Sequence, residues 1–196
     1  DVTEADAANQ AMLAAINNFG GLDILISNAG AAHAGPMLGI SNEELRNAFE
    51  LNFFSHYSFS TEAAKILKDQ NRGGQILFNI SKQAVNPGKN FGAYGLPKAT
   101  TFFLMRQLAL ELGSDGIRVN GINADRIRSG LLTDDFISSR AKSRGVSESE
   151  YMAGNLLNKE VTAEHVADAF TALACAESTT GHVMTVDGGN IEASLR

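Results

Sequence analysis

A chain of 196 residues, 44% hydrophobic and 19% charged, has the size and composition of one globular domain with a sizeable core. Its net charge of -6, with no cluster of Lys or Arg, argues against nucleic acid and anionic membrane as partners and leaves a small molecule as the expected ligand. No stretch is long and apolar enough to span a bilayer, because the best candidate, Phe102 to Leu112, is cut by Arg106 and Gln107.

In chain order, Thr3 is placed to cap a helix from Glu4 to about Phe19, with Met12, Ala15, Ile16 and Phe19 at helical spacing. Leu22 to Ser27 is short, apolar and bounded by glycines, as a parallel strand covered on both faces should be. Ser41 and Glu44 form a capping box that opens a long helix to about Lys68; Asn71-Arg72-Gly73-Gly74 turns it into a second strand, Gln75 to Ile80. Residues 93–112 read as an apolar-striped helix, Gly116 to Asn120 as the start of a third strand, Thr162 to Ala176 as a helix and His182 to Val186 as a fourth strand. Residues 125–160 are polar and weakly periodic, as a mobile lid or substrate loop would be. The βαβα alternation predicts a Rossmann-like doubly wound parallel sheet in a three-layer α/β/α arrangement, with ligands bound beyond the carboxyl ends of the strands. The single cysteine, Cys175, excludes an internal disulfide and points to a reducing compartment, the cytoplasm. Its apolar neighbours Ala172, Leu173 and Ala174 suggest a buried, inert thiol.

Tyr94 and Lys98 stand four apart on a predicted helix and therefore share a face, which continues into Phe102, Met105, Ala109 and Leu112. An ammonium beside a phenol stabilises the phenolate and lowers the tyrosine pKa, which suits acid or base work near neutral pH. Taken alone, the pair is a weak signal, and a surface lysine that merely snorkels is the bland alternative. Asn52 lies within the buried stripe marked by Leu45, Ala48, Phe49, Phe53 and His56, so its amide must find partners, either structural or functional. Ser81 falls where the second strand ends, on the ligand side of the sheet. His33 follows a turn and is read as a solvated loop residue that could face substrate. His56, His165 and His182 are read as structural or exposed, and the spacing matches no zinc site, so no metal is expected.

In this order and spacing the residues resemble the short-chain dehydrogenase/reductase family along essentially the whole chain. Ser27-Asn28-Ala29-Gly30 is similar to that family's Asn-Asn-Ala-Gly, Leu51-Asn52 to its active-site Asn, and Ser81 precedes the Tyr94-Gly95-Leu96-Pro97-Lys98-Ala99 box by the usual thirteen residues. Gly116 to Asn120 and Val186-Asp187-Gly188-Gly189 resemble two further family segments. The resemblance implies that Tyr94 exchanges a proton with the substrate oxygen, Ser81 orients that oxygen, Lys98 lowers the Tyr pKa and holds the nicotinamide ribose, and Asn52 anchors a proton-relaying water. It also implies NAD or NADP as cofactor, with Asp1 and Val2 at the adenine, Asn28, Ala29 and Gly30 along the adenosine ribose, and Ile127 and Ser129 near the carboxamide.

Two departures accompany the resemblance. The family's Thr-Gly-x-x-x-Gly-x-Gly turn and its first three strands would precede Asp1, so the chain is expected to be the C-terminal two-thirds of one such domain, with the residue that separates NAD from NADP outside it. Asn123-Ala124-Asp125-Arg126-Ile127-Arg128-Ser129 stands where the family usually has Asn-x-Pro-Gly-x-x-x-Thr. This loop, with Tyr151 to Leu157 and Thr185 to Ile191, resembles the dehydrogenase halves of bifunctional proteins joined to a class II aldolase domain, which implies lactaldehyde or a sugar derivative as substrate. A homo-oligomer through helices 41–68 and 93–112 is expected because Phe53, Phe59, Phe102, Phe103, Met105 and Leu108 exceed what one sheet face covers. The rival reading, a non-catalytic dinucleotide-fold module or inactive fragment, gives no reason for a lysine beside a tyrosine on a partly buried stripe.

Overall fold

Four short apolar runs become strands β1 (Ile24–Ser27), β2 (Gly74–Asn79), β3 (Ile117–Ala124) and β4 (Val183–Val186) in a computed structural model that describes residues 1–190. They lie side by side in sequence order, and every pair is parallel. Parallel neighbours cannot be joined by a hairpin, so each connection is a helical crossover. Helix α1 (Ala7–Phe19) precedes β1; α2 (Asn42–Phe49) and α3 (Ser55–Gln70) join β1 to β2; α4 (Gly92–Leu112) joins β2 to β3. Helices α5 (Asp134–Arg144), α6 (Glu148–Met152) and α7 (Ala163–Cys175) lie between β3 and β4.

Strand alternation divides the core in two. Ile76, Phe78, Ile117 and Val119 pack against Leu67 of α3 and Met105, Leu108 and Leu112 of α4. Leu77 and Ile122 point the other way, onto Val166, Ala169, Phe170 and Leu173 of α7. The result is the α/β/α sandwich that the βαβα pattern predicts, with the carboxyl ends of the strands on one rim. Strand β1 is an edge among the described residues, and its α7-side residues Ile24 and Ile26 are 43% and 50% exposed. No helix among the described residues is long and apolar enough to cross a membrane.

Several local expectations are corrected. Thr3 does not cap α1; its hydroxyl and amide donate to the Asp1 carboxylate, and the helix starts at Ala7 after Asp6. The helix begun by the Ser41/Glu44 capping box runs on as expected to Gln70, but residues Glu50–Phe54 within it form a π-turn before α3. There the Asn52 and Ser55 side chains donate to the carbonyls of Ala48 and Leu51, four residues back, a competition that loosens the helical ladder. The 125–160 segment is not a bare loop, because α5 and α6 enclose a small core of Leu132, Ile137, Ala141, Tyr151 and Met152. Each helix is too short to show much periodicity, which is why the pattern was weak. Cys175 is exposed rather than buried, since the inward stripe of α7 runs through Val166, Ala169, Phe170 and Leu173 and leaves Cys175 off it.

Candidate active site

The segments after β1, β2 and β3 converge on the carboxyl rim, and the helices beside them complete the site. After β1, Asn28 accepts a hydrogen bond through Oδ1 from Asn79 Nδ2 at 2.7 Å, joining the ends of two strands. The loop is then held by Asn52, which is 1% exposed: its Nδ2 donates to Ala31 O at 2.9 Å and its Oδ1 accepts from Ala31 N at 3.2 Å. Gly30 sits under that amide, where a Cβ would lie 2.8 Å from Asn52 Oδ1, so only glycine lets the loop come this close. The Asn52 carbonyl accepts from Thr101 Oγ1 at 2.8 Å, tying the π-turn to α4.

Lys98, 2% exposed, donates from Nζ to Asn79 O at 2.9 Å and lies 3.3 Å from His56 Nε2. Burial depresses its pKa to about 8. The other ring nitrogen of His56, Nδ1, is 2.6 Å from Ser27 Oγ. Desolvation, with the Lys98 charge adding to it, drives the His56 pKa down to about 3, so the imidazole is neutral at physiological pH. A neutral ring facing an ammonium must accept through Nε2, which places its proton on Nδ1, donated to Ser27.

Tyr94 is 8% exposed, and its ring centroid lies 5.8 Å from Lys98 Nζ. Contrary to the expectation that Lys98 lowers it, the phenol pKa is raised, because burial dominates and only the adjoining Ser81 hydroxyl opposes the rise. Ser81 adopts φ 115°, a conformation that side chains rarely take, and its Oγ accepts from Gln83 N at 3.2 Å. Such strain at a strand end is held in place by its surroundings and is frequent at functional positions.

The departing loop is built around Asp125. Its carboxylate accepts from Lys82 Nζ at 3.1 Å, lies 3.5 Å from Arg126 Nε and also accepts from Asn190, so it pins the ends of β2, β3 and β4 together without the usual proline and glycine. Ile127 and Ser129 line the same cavity as Ser81 and Tyr94, about 550 Å³ in volume. The Ser129 hydroxyl is used within its own turn, donating to Ile127 O and accepting from Leu131 N and Leu132 N. Asp1 and Val2 do not line this cavity. His33 lies out on the surface, 3.6 Å from Glu44. No group of side chains suited to a metal ion occurs among the described residues.

The structure thus brings Asn52, Ser81, Tyr94 and Lys98 together with Asn28, Gly30 and the 125–129 loop. It adds residues that the sequence reading passed over: His56, the Lys82–Asp125–Arg126 cluster and Arg140. A signal for His56 was present, since it lies four residues after Asn52 on the same buried stripe.

Residues 1–190 match the family model described as enoyl-(acyl carrier protein) reductase. The chain is 35% identical over 197 residues to the protein named uncharacterized oxidoreductase YuxG of Bacillus subtilis (strain 168), covering 96% of the chain and 29% of that protein. It is 30% identical to the 7alpha-hydroxysteroid dehydrogenase of Escherichia coli (strain K12), covering 98% of the chain and 72% of the enzyme. Among solved structures, acetoin dehydrogenase from Enterobacter cloacae superposes with a TM-score of 0.83 at 26% identity, over 99% of this chain and 74% of that one. A short-chain type dehydrogenase/reductase from Mycobacterium ulcerans gives 0.85 at 29%, over 98% and 68%.

Proposed function

We propose that this chain, which belongs to the short-chain dehydrogenase/reductase family of oxidoreductases, carries out NAD- or NADP-dependent interconversion of a small hydroxyl compound and its carbonyl partner. The observation that carries this reading is the buried Tyr94–Lys98 face, with Ser81 and Tyr94 lining the same cavity.

The site suits the cofactor. An ammonium has three N–H donors, and Lys98 has two partners among the described residues, Asn79 O and His56 Nε2. A buried donor of that kind calls for a third partner, and a ribose hydroxyl supplies one. When bound, the nicotinamide ring provides or takes up the hydride at the substrate carbon. In reduction, Ser81 Oγ donates to the substrate carbonyl oxygen and Tyr94 delivers its proton there; in oxidation, Tyr94 receives the hydroxyl proton. Burial keeps Tyr94 protonated at neutral pH, which is the form reduction needs. Lys98 Nζ stands 5.8 Å from the Tyr94 ring centroid, and a cation on that side favours the phenolate once the proton has left. Asn52 holds the 28–31 loop through its amide and Thr101 of α4 through its backbone carbonyl, and it is the residue assigned to anchor a relay water. Asp1 and Val2 are assigned to the adenine, Asn28, Ala29 and Gly30 to the adenosine ribose, and Ile127 and Ser129 to the carboxamide side.

The same reading takes the chain as the C-terminal two-thirds of its domain, in a parent that also carries an aldolase domain, acting on lactaldehyde or a sugar derivative and assembling through α3 and α4. The exposed β1 edge and the 29% share of YuxG that the chain covers support a longer parent, and the exposed apolar residues Phe54, Tyr57, Leu96 and Phe103 support the assembly.

The test is an assay of the full-length natural protein with NAD and NADP against small alcohols, hydroxyaldehydes and ketones. Tyr94→Phe should fold normally and lose turnover by at least ~100-fold, the scale of lost general acid-base catalysis. Near-normal turnover in Tyr94→Phe would overturn the assignment.

A further inference from the structure

The cavity in front of Tyr94 is cationic, in a chain whose net charge is -6. Lys82, Lys89, Arg126, Arg140 and Arg144 line it, against one acid, Asp125. Asp125 is already shared between Lys82 and Arg126, leaving that cluster one positive charge in excess. None of Lys89, Arg140 and Arg144 is in an ion pair among the described residues.

Arg140 and Arg144 stand four apart on α5, so their guanidinium groups share a face, an arrangement that destabilises a helix unless an anion offsets it. The favourable field at a helix C-terminus accounts for Lys142 and Arg144, which are exposed in the last turn. It does not account for Arg140, which is turned inward, with its guanidinium 5.6 Å from the Phe91 ring centroid and its Nε buried without a hydrogen-bond partner. A buried N–H of that kind calls for an acceptor. Arg144 lies 5.4 Å from the Tyr151 ring centroid, and the small core beneath α5 and α6 holds both helices in place. Aromatic faces that hold guanidinium planes leave the N–H edges free for a planar or tetrahedral oxyanion.

We propose that the substrate carries an anionic group, a carboxylate or a phosphate ester, held by Arg140 and Arg144 with Lys89 at the rim, while its hydroxyl or carbonyl lies at Ser81 and Tyr94. This rests on the oxidoreductase reading and narrows it: a sugar phosphate or a hydroxy acid fits, and neutral lactaldehyde does not. The cofactor's own phosphate is the competing anion, and the experiment separates the two.

Binding is read first, without turnover. Inorganic phosphate and acetate are titrated into the full-length protein labelled with ¹⁵N arginine; the Arg140 Nε–H resonance should shift saturably, and Arg140→Gln should abolish the saturable response. No shift with either anion overturns the proposal, whether or not the protein is an oxidoreductase. Turnover is then compared within pairs that differ by one anionic group, propane-1,2-diol with lactate and glycerol with glycerol 3-phosphate. The anionic member of at least one pair should be preferred, and Arg140→Gln should lower the anionic-to-neutral ratio of kcat/KM by about 10–100-fold, the scale of a charge-assisted hydrogen bond, with partial recovery in Arg140→Lys. A ratio unchanged by Arg140→Gln, or an effect confined to the KM of the nicotinamide cofactor, overturns the proposal. Absence of turnover with every compound sinks the oxidoreductase reading instead, and the anion titration still decides the subsite.

Discussion

Lys98 Nζ lies 3.3 Å from His56 Nε2, and His56 Nδ1 lies 2.6 Å from Ser27 Oγ, so the ammonium at the site is backed by a buried side-chain chain that runs to the end of β1. His56 is the only one of Lys98's two neutral acceptors that a mutation can remove, the other being the Asn79 backbone carbonyl. His56→Leu should therefore let Lys98 shift and lower kcat by about tenfold with a smaller effect on substrate KM, because the loss of one charge-assisted bond is on that scale. His56→Gln, whose Oε1 can accept from Nζ, should recover most of the rate. Nitrogen-15 spectra of the imidazole should show a neutral ring protonated at Nδ1 across pH 5–8. A ring protonated at Nε2, or equal rates in the Leu and Gln variants, would contradict this role.

Lys98 also leaves a mark on stability. Its pKa of about 8 in the folded chain lies below the 10.5 of a free lysine, so between those values the folded state binds fewer protons than the unfolded state. Stability must then rise with pH across that window, and below it the buried ammonium costs on the order of 3 kcal/mol relative to the neutral amine. The stability of the wild type minus that of Lys98→Met should increase from pH 7 to about pH 10.5, as read by urea unfolding of both at several pH values. A difference that does not change with pH would show that Lys98 is not depressed.

How much of this was legible depended on period and spacing. The strands and the helices at 41–68 and 93–112 followed from buried stripes, and Asn52, Ser81, Tyr94 and Lys98 from position in the pattern; Ser81 and Tyr94 line the cavity, while Lys98 and Asn52 are buried, with Lys98 5.8 Å from the Tyr94 ring centroid. Thr3 failed because a nearer acceptor, Asp1, took its hydroxyl, and Cys175 because an apolar neighbourhood in sequence is not a face in space. Asp125 and Arg140 act through contacts with residues far away in sequence, Lys82 and Phe91, which no local pattern reports.

Gly30→Ala isolates the close packing of the loop after β1. The added Cβ would stand 2.8 Å from Asn52 Oδ1 and 3.6 Å from Lys98 Nζ, and the Asn52 amide, bonded on both sides to Ala31, cannot swing away freely. Overpacking of this kind costs roughly 1–3 kcal/mol. Asn52→Ala removes the obstructing atoms, so the double variant should be less destabilised than the sum of the two single changes. Strict additivity in denaturant unfolding would mean that Gly30 is needed for some other reason.

The outer face of α4 bears on assembly. Leu96, Phe103 and Leu110 recur at seven-residue intervals and are 46%, 68% and 79% exposed, and Phe54 and Tyr57 at the start of the neighbouring α3 are 45% and 47% exposed. Met105 and Leu108, by contrast, are spent on the sheet, at 0% and 7%. An apolar stripe of this length on the far side of two packed helices is the form of an isologous interface, in which each copy covers the same stripe of the other. Phe103→Glu should therefore lower the mass in solution measured by light scattering. Phe19 at the end of α1, 86% exposed and away from this stripe, is the control, because a charge there should leave the mass unchanged. If both substitutions lowered the mass, general stickiness would explain the association, and if Phe103→Glu left the mass intact, α3 and α4 would not form the interface.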